Sequence, residues 1–239
     1  MNMDGTPKRH FHEELDGLQE LLLTMAGRVE QAVARALEAV AVADATVAAD
    51  LRAGDGEIDE MESLIDERVQ ELLALHQPMA SDLRLIITVL KVANDVERVG
   101  DHAVNIARAV RRMRKSSPPP ELRELQEMGD VAREMLSDSL AAFVARDPGS
   151  AMRVHATDDT VDSLRKSLFR IMVTYMLEDP RNIGSGLEVL LISQNIERIA
   201  DLATNIAEDV VFLVKGREGI RDMKNWADHD ADGGEDEGG

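Results

Sequence analysis

Residues 95–106 of this chain read DVERVGDHAVNI, and residues 195–206 read NIERIADLATNI, one hundred positions later. Both stretches contain the pattern Glu-x-x-x-Asp-x-x-x-Asn. A spacing of four places the three polar side chains of each copy on one ridge of a helix, with Cβ atoms about 5–6 Å apart. The residues concerned are Glu97, Asp101 and Asn105 in the first copy, and Glu197, Asp201 and Asn205 in the second.

Each copy carries an electrostatic cost. Two carboxylates at positions i and i+4 destabilise an isolated helix by about 0.2–0.5 kcal/mol. The apolar side chains of the same helix, such as Val96 and Val99, fall on its opposite side, so the polar trio belongs on an outer face or in a groove. The duplication favours a cation-binding surface. The alternative is a solvated acidic face balanced by Arg98, Arg108 and Arg198.

Composition narrows the class of protein. Aromatic residues make up only 3% of the chain, and the dominant residue types favour helix over sheet. The absence of cysteine excludes disulfides and thiolate metal sites. A net charge of −19 repels nucleic acid and anionic lipid headgroups but attracts cations. No apolar run is long enough for membrane insertion, and the polar first residues lack a signal-peptide core, so we expect a cytoplasmic protein without a nucleic-acid partner.

The apolar pattern divides the chain at three consecutive prolines, residues 118–120, which cannot continue a helix. We therefore predict an all-α protein of two tandem three-helix bundles related by an internal repeat, at 9–115 and 121–216. An acidic, disordered tail is expected at 217–239. The expected helices span about 11–43, 55–75, 81–114, 121–145 and 157–177, and a sixth ends near Lys215-Gly216.

A second polar row lies on the helix that precedes each copy of the motif. The first row has a spacing of four, three and four, and we expect its counterpart one hundred positions later, at the spacing of the motif. The first row is Asp55, Asp59, Glu62 and Asp66, and the second is His155, Asp159, Asp162 and Lys166. If each row faces its motif, the first bundle offers six carboxylates and the second offers four with a histidine. We expect the first bundle to bind a cation more tightly, because the Lys166 ammonium opposes binding in the second.

Oxygen ligands from two helices suit Fe³⁺, Mn²⁺, Mg²⁺ or Ca²⁺, with Zn²⁺ as a further candidate. Asn105 and Asn205 either ligate through their amide oxygens or bond across helices. His155, at an expected helix N-terminus, either ligates or caps. No metalloprotease motif, Gly-rich phosphate loop, paired Glu-x-x-His or nucleophile–base pair is apparent, so we expect no enzyme activity.

The stretch QPMASDLRLI at 77–86, followed by ERVGDHAVNI at 97–106, resembles the PhoU family of phosphate-signalling regulators. The similarity covers roughly residues 9–215. The second half follows the family less closely, because PRNIG at 180–184 stands in place of the QPxASD stretch.

The resemblance implies two three-helix bundles and multinuclear metal clusters of Fe, Mn, Mg or Zn on the bundle surface. The family's metal motifs map to Glu97 and Asp101, and to Glu197 and Asp201. It also implies a cytoplasmic, homodimeric negative regulator that links the ATPase subunit of a phosphate ABC transporter to a sensor histidine kinase. The alternative is a cytoplasmic metal-buffering protein without signalling partners.

Overall fold

The computed structural model describes residues 7–42, 44, 46–113 and 123–232. Within these ranges the chain forms six α-helices and one short 3-10 helix, with no strand, which confirms the all-α prediction. None of these helices is both long and apolar enough to cross a bilayer. The chain divides into two compact units between Lys115 and Ser116. The proline run at 118–120 lies outside the described residues.

The first unit is a bundle of three helices, each of which contacts the other two. They are α1 (Pro7–Val42), α2 (Val47–His76) and α3 (Ala80–Met113). Buried side chains recur every three or four residues along each helix, as Leu15, Leu18 and Leu22 do on α1. Each helix therefore presents one apolar stripe to its neighbours, and the three stripes enclose one core.

The second unit repeats this arrangement. It consists of α4 (Arg123–Ala145), α5 (Pro148–Glu178), the 3-10 helix (Pro180–Asn182) and α6 (Ile183–Asp232). α4, α5 and α6 all pack against one another. The prediction of two three-helix bundles is confirmed.

Two helices begin earlier than the sequence predicted. α2 begins at Val47, not near Asp55, because Ala48 and Leu51 are already buried and hold its first turns in place. Gly54 and Gly56 lie inside this helix on its exposed side, so they do not interrupt it.

α5 likewise begins at Pro148 and not near Thr157. Asp147 is the helix N-cap: its Oδ1 accepts a hydrogen bond from the backbone N–H of Gly149 at 2.9 Å, and its Oδ2 accepts one from Ser150 Oγ at 2.6 Å. Pro148 then occupies the first helical turn, where its missing N–H costs nothing.

The predicted helix end at Lys215-Gly216 is a kink. Gly216 adopts φ 72° and ψ −158°, and helical structure resumes and continues to Asp232. Met223 is buried beyond the kink, so an apolar anchor holds the segment. The expectation of disorder from residue 217 is therefore wrong as far as Asp232, and residues 233–239 lie outside the described ranges.

The two units match in two different registers. The buried positions of α1 and α2 recur in α4 and α5 after 103 residues, as Met25 and Met128 or Ile58 and Val161 show. Those of α3 recur in α6 after 100 residues, as Val96 and Ile196 show. The register predicted for the polar row of α5 was therefore wrong by three residues, almost one helical turn.

Candidate functional site

The groove between α2 and α3 is lined by five carboxylates, which we call the first seam. They are Asp55, Asp59 and Glu62 on α2, and Glu97 and Asp101 on α3. Glu97 is half-buried and Asp101 is exposed, as expected for an outer groove. Asn94 Nδ2 on α3 donates to Glu62 Oε1 on α2 at 3.3 Å, which shows that the two polar rows meet.

Glu97 is the electrostatic centre of the first seam. Burial is the main cause that raises the pKa of Glu97 from its ordinary 4.5 to about 7. Four negative charges raise this pKa further: in decreasing order, those of Asp101, Glu62, Asp59 and Asp55. The pKa of Asp55 is also raised, by burial first and then by Asp101 and Asp59. Every predicted carboxylate of this groove except the exposed Asp66 is therefore coupled to Glu97.

The carboxylates share the groove without converging on one point. Within the described part of the chain, no three Asp, Glu or His side chains are gathered closely enough to hold a metal ion. Like charges favour rotamers that keep carboxylates apart. A cation would have to draw these side chains together by rotation about their χ angles.

The small residues beside the motif serve packing. Gly100 is buried, and a Cβ at this position would lie 3.5 Å from Ile58 Cδ1 and 3.6 Å from Val29 Cγ2. Its counterpart Ala200 is fully buried as well. Gly100 and Ala200 therefore face the bundle cores and not the polar sides of their helices.

The two asparagines behave differently from each other. Asn105 Oδ1 accepts a hydrogen bond from Arg108 Nη1 at 3.1 Å, one turn further along α3. Asn205 is exposed on α6. Of the two, Asn105 already uses its amide oxygen, the atom that a metal would require.

The corresponding groove of the second unit, between α5 and α6, contains cationic side chains as well as carboxylates. We call it the second seam, and its members are Asp158, Asp162, Arg165, Glu197 and Asp201. Arg165 Nη1 lies 2.9 Å from Glu197 Oε1, and Arg198 Nη1 lies 3.0 Å from Asp201 Oδ2. Lys166 Nζ lies 3.4 Å from Asp162 Oδ2.

Asp158, which the spacing of one hundred residues does not identify, takes part in this seam. Burial is the main cause that raises the pKa of Asp158 to about 6, and the charges of Asp201 and Asp162 raise it further. Asp159, the residue predicted from that spacing, is exposed and raises the pKa of Asp158 less than Asp201 and Asp162 do. The offset of 103, already visible in the sequence at Met25 and Met128, would have identified Asp158 as the counterpart of Asp55.

Glu197 has an environment unlike that of Glu97. Burial raises the pKa of Glu197, and the nearby Arg165 guanidinium opposes that rise. His155 lies within α5 and not at its start, so the capping role is excluded. Its Nδ1 is buried with no hydrogen-bond partner among the described residues.

The donor chemistry of the two seams differs. The first seam offers carboxylate oxygens from two helices, the ligand type that hard cations prefer, and it fits a metal site in composition. In the second seam, cationic groups already lie against three of the four carboxylates. The second seam therefore fits a metal poorly.

Comparison with known protein families gives a specific match to both units. The sequence model of the PhoU domain matches residues 22–110 and again residues 125–210, which together make up more than half of the chain. The chain belongs to the PhoU family. The two matched segments coincide with the two bundles and include both copies of the motif.

Relatives match along nearly the whole chain. A phosphate-specific transport system accessory protein PhoU homolog of Pseudomonas putida is 41% identical over 90% of this chain and 84% of its own length. The PhoU accessory protein of Escherichia coli K12 is 35% identical over 91% of this chain and 90% of its own. Both relatives are named as accessory proteins of a phosphate-specific transport system.

Solved PhoU structures share the fold. PhoU from Pseudomonas aeruginosa aligns with a TM-score of 0.83 at 40% identity, covering 86% of this chain and 99% of that one. The phosphate transport system regulatory protein PhoU from Streptococcus pneumoniae aligns with a TM-score of 0.80 at 31% identity, covering 87% and 98%.

Proposed function

We propose that this protein is a cytoplasmic accessory regulator of phosphate transport that restrains phosphate uptake and phosphate-starvation signalling. Membership of the PhoU family along both bundles is the observation that carries this proposal. The names of its relatives place them in phosphate-specific transport systems. The protein acts by contact and not by turnover.

Two partners follow from this role: the ATPase subunit of a phosphate ABC transporter and a sensor histidine kinase. An adaptor needs exposed apolar surface, and α6 carries Ile183, Leu187 and Leu191 at a spacing of four, with 45%, 51% and 41% of each residue exposed. Such a stripe is suited to a protein partner. A homodimer also belongs to the proposal, and light scattering on the purified protein measures it.

Metal ions, of which Fe, Mn, Mg and Zn are candidates, would organise the adaptor surface. In the first seam, Glu97 and Asp101 with Asp59 and Glu62 would hold them through carboxylate oxygens. The metal would supply positive charge that neutralises the groove. The hydrogen bond from Asn94 to Glu62 and the core beneath the groove hold α2 and α3 together.

A pull-down in cells grown with and without phosphate tests the adaptor role. We expect the tagged protein to retain the transporter ATPase or the kinase, with recovery that depends on phosphate. Deletion of the gene should switch on phosphate-scavenging genes in phosphate-rich medium. Normal repression in the deletion strain, together with no phosphate-dependent partner, would leave the metal-buffering alternative.

A further inference from the structure

The two seams differ at one position that decides their charge. At the offset of 103 that relates α2 to α5, Glu62 corresponds to Arg165. Glu62 adds a fifth carboxylate to the first seam. Arg165 instead brings a guanidinium to within 2.9 Å of Glu197, the counterpart of Glu97.

A second difference, on α6, adds to the effect of the first. In the first unit Arg98 Nη1 lies 3.4 Å from Asp95, one turn before it, so it turns away from Asp101. The residue that corresponds to Asp95 is Asn195, which carries no charge. Arg198 turns the other way and lies 3.0 Å from Asp201, the counterpart of Asp101.

A guanidinium supplies the carboxylates with a permanent positive charge, as a bound metal ion would. Arginine stays protonated throughout the working range of pH, so the second seam keeps this positive charge. The side chain of Glu197 is only 17% exposed, which limits solvent screening of the pair. A divalent cation at Glu197 would have to displace Arg165 and would also be repelled by it.

We propose that Arg165 is a built-in counter-cation which makes the second unit independent of metal, so that the first unit alone binds metal ions. The statement that the first unit alone binds metal ions rests on the metal-binding role proposed for the first seam. The role of Arg165 itself does not depend on any metal.

Mn²⁺ binding to the full-length protein, measured by equilibrium dialysis with elemental analysis, tests the metal half. We expect Glu97→Ala with Asp101→Ala to abolish binding, whereas Glu197→Ala with Asp201→Ala leaves it unchanged. In the Glu97→Ala, Asp101→Ala background, Arg165→Glu should create Mn²⁺ binding in the second seam. The reason is that it gives position 165 the glutamate that the first seam has at the corresponding position 62. Arg165→Met is the matched control and should create less binding, because it removes the charge without adding a ligand.

Thermal unfolding in the presence of a chelator tests Arg165 without metal. Arg165→Met should lower the melting temperature, and the added change Glu197→Gln should restore it, because the uncompensated carboxylate is gone. A melting temperature equal to the wild type in Arg165→Met would overturn the proposal. So would Mn²⁺ bound through Glu197 and Asp201 in the wild type, or no gain from Arg165→Glu. If the wild type binds no Mn²⁺ at all, the metal role of the first seam fails, and the melting experiment still decides the role of Arg165.

Discussion

At Glu97 the protein holds a carboxylate that is half-buried among other negative charges. The folded state binds the proton of Glu97 more tightly than the unfolded chain does, because its pKa is raised from 4.5 to about 7. Its contribution to stability is therefore present in full below about pH 4.5 and is lost as the pH rises through about 7. Without a cation, the ionised seam destabilises the fold.

Glu97→Gln should therefore raise the melting temperature of the chelator-treated protein at pH 8, since the amide removes a charge without changing the shape. The gain should shrink towards pH 5, where Glu97 is already protonated. Glu197→Gln is the matched control and should give a smaller gain, because Arg165 already balances that carboxylate. Thermal unfolding followed by circular dichroism at both pH values measures the difference, and equal gains at the two sites would contradict it.

Asp147 is a residue with the opposite shift. Hydrogen bonds from the side chain of Ser150 and the backbone of Gly149 hold its pKa below the ordinary 3.8. The carboxylate therefore stabilises the start of α5 at every pH above the ordinary pKa of an aspartate. This contribution to stability is lost as the pH falls through the lowered pKa of Asp147.

We expect Asp147→Ala to lower the melting temperature at pH 7 because it removes the cap of α5. Thr46→Ala is the control at the start of α2, where the side chain makes no cap hydrogen bond. Differential scanning calorimetry distinguishes the two. If Thr46→Ala lowered the melting temperature as much as Asp147→Ala does, the cap would not be what stabilises α5.

Among the elements, α6 is unusual because it continues through a residue in a conformation that only glycine adopts easily. Gly216 has a positive φ of 72° with an extended ψ, so a side chain there would be strained. The kink redirects the chain and allows Met223 to be buried.

Gly216→Ala should destabilise the protein by about 1–3 kcal/mol, the usual cost of forcing a side chain into such a backbone region. Gly54→Ala provides the control: Gly54 lies in an exposed part of α2 with nothing within 4 Å of an added Cβ. This second change should stabilise the protein by about 0.5–1 kcal/mol. Urea unfolding measures both, and a stabilising Gly216→Ala would refute the kink.

For the whole molecule, the division between Lys115 and Ser116 has an experimental consequence. Each unit has its own core, formed by α1, α2 and α3 in the first and by α4, α5 and α6 in the second. Domains with separate cores can fold separately. We expect cleavage within 114–122 to leave two fragments that remain helical and unfold cooperatively by circular dichroism. The loss of helix in either fragment would show that the units depend on each other.

The chain alone was sufficient to predict the fold class, the two bundles and the candidate residues on α3 and α6. These features depend on local spacing: a period near 3.6 for Val96 and Val99, and a spacing of four for Glu97 and Asp101. Such patterns act within one helix, so they are visible in the sequence. The repeat then supplied the second copy.

Tertiary packing decided which side chains face these residues. α2 begins before Gly54 because Ala48 and Leu51 are buried in the core. α6 continues beyond Gly216, where Met223 is buried. The register between α5 and α6 placed Asp158 and Arg165 in the second seam in place of Asp159. A change of three residues in the connection alters no local pattern, yet it rotates one helix relative to its neighbour. For this reason the sequence alone determined which carboxylates belong to each motif. Only the tertiary structure determined that the guanidinium of Arg165 lies against Glu197 in the second copy.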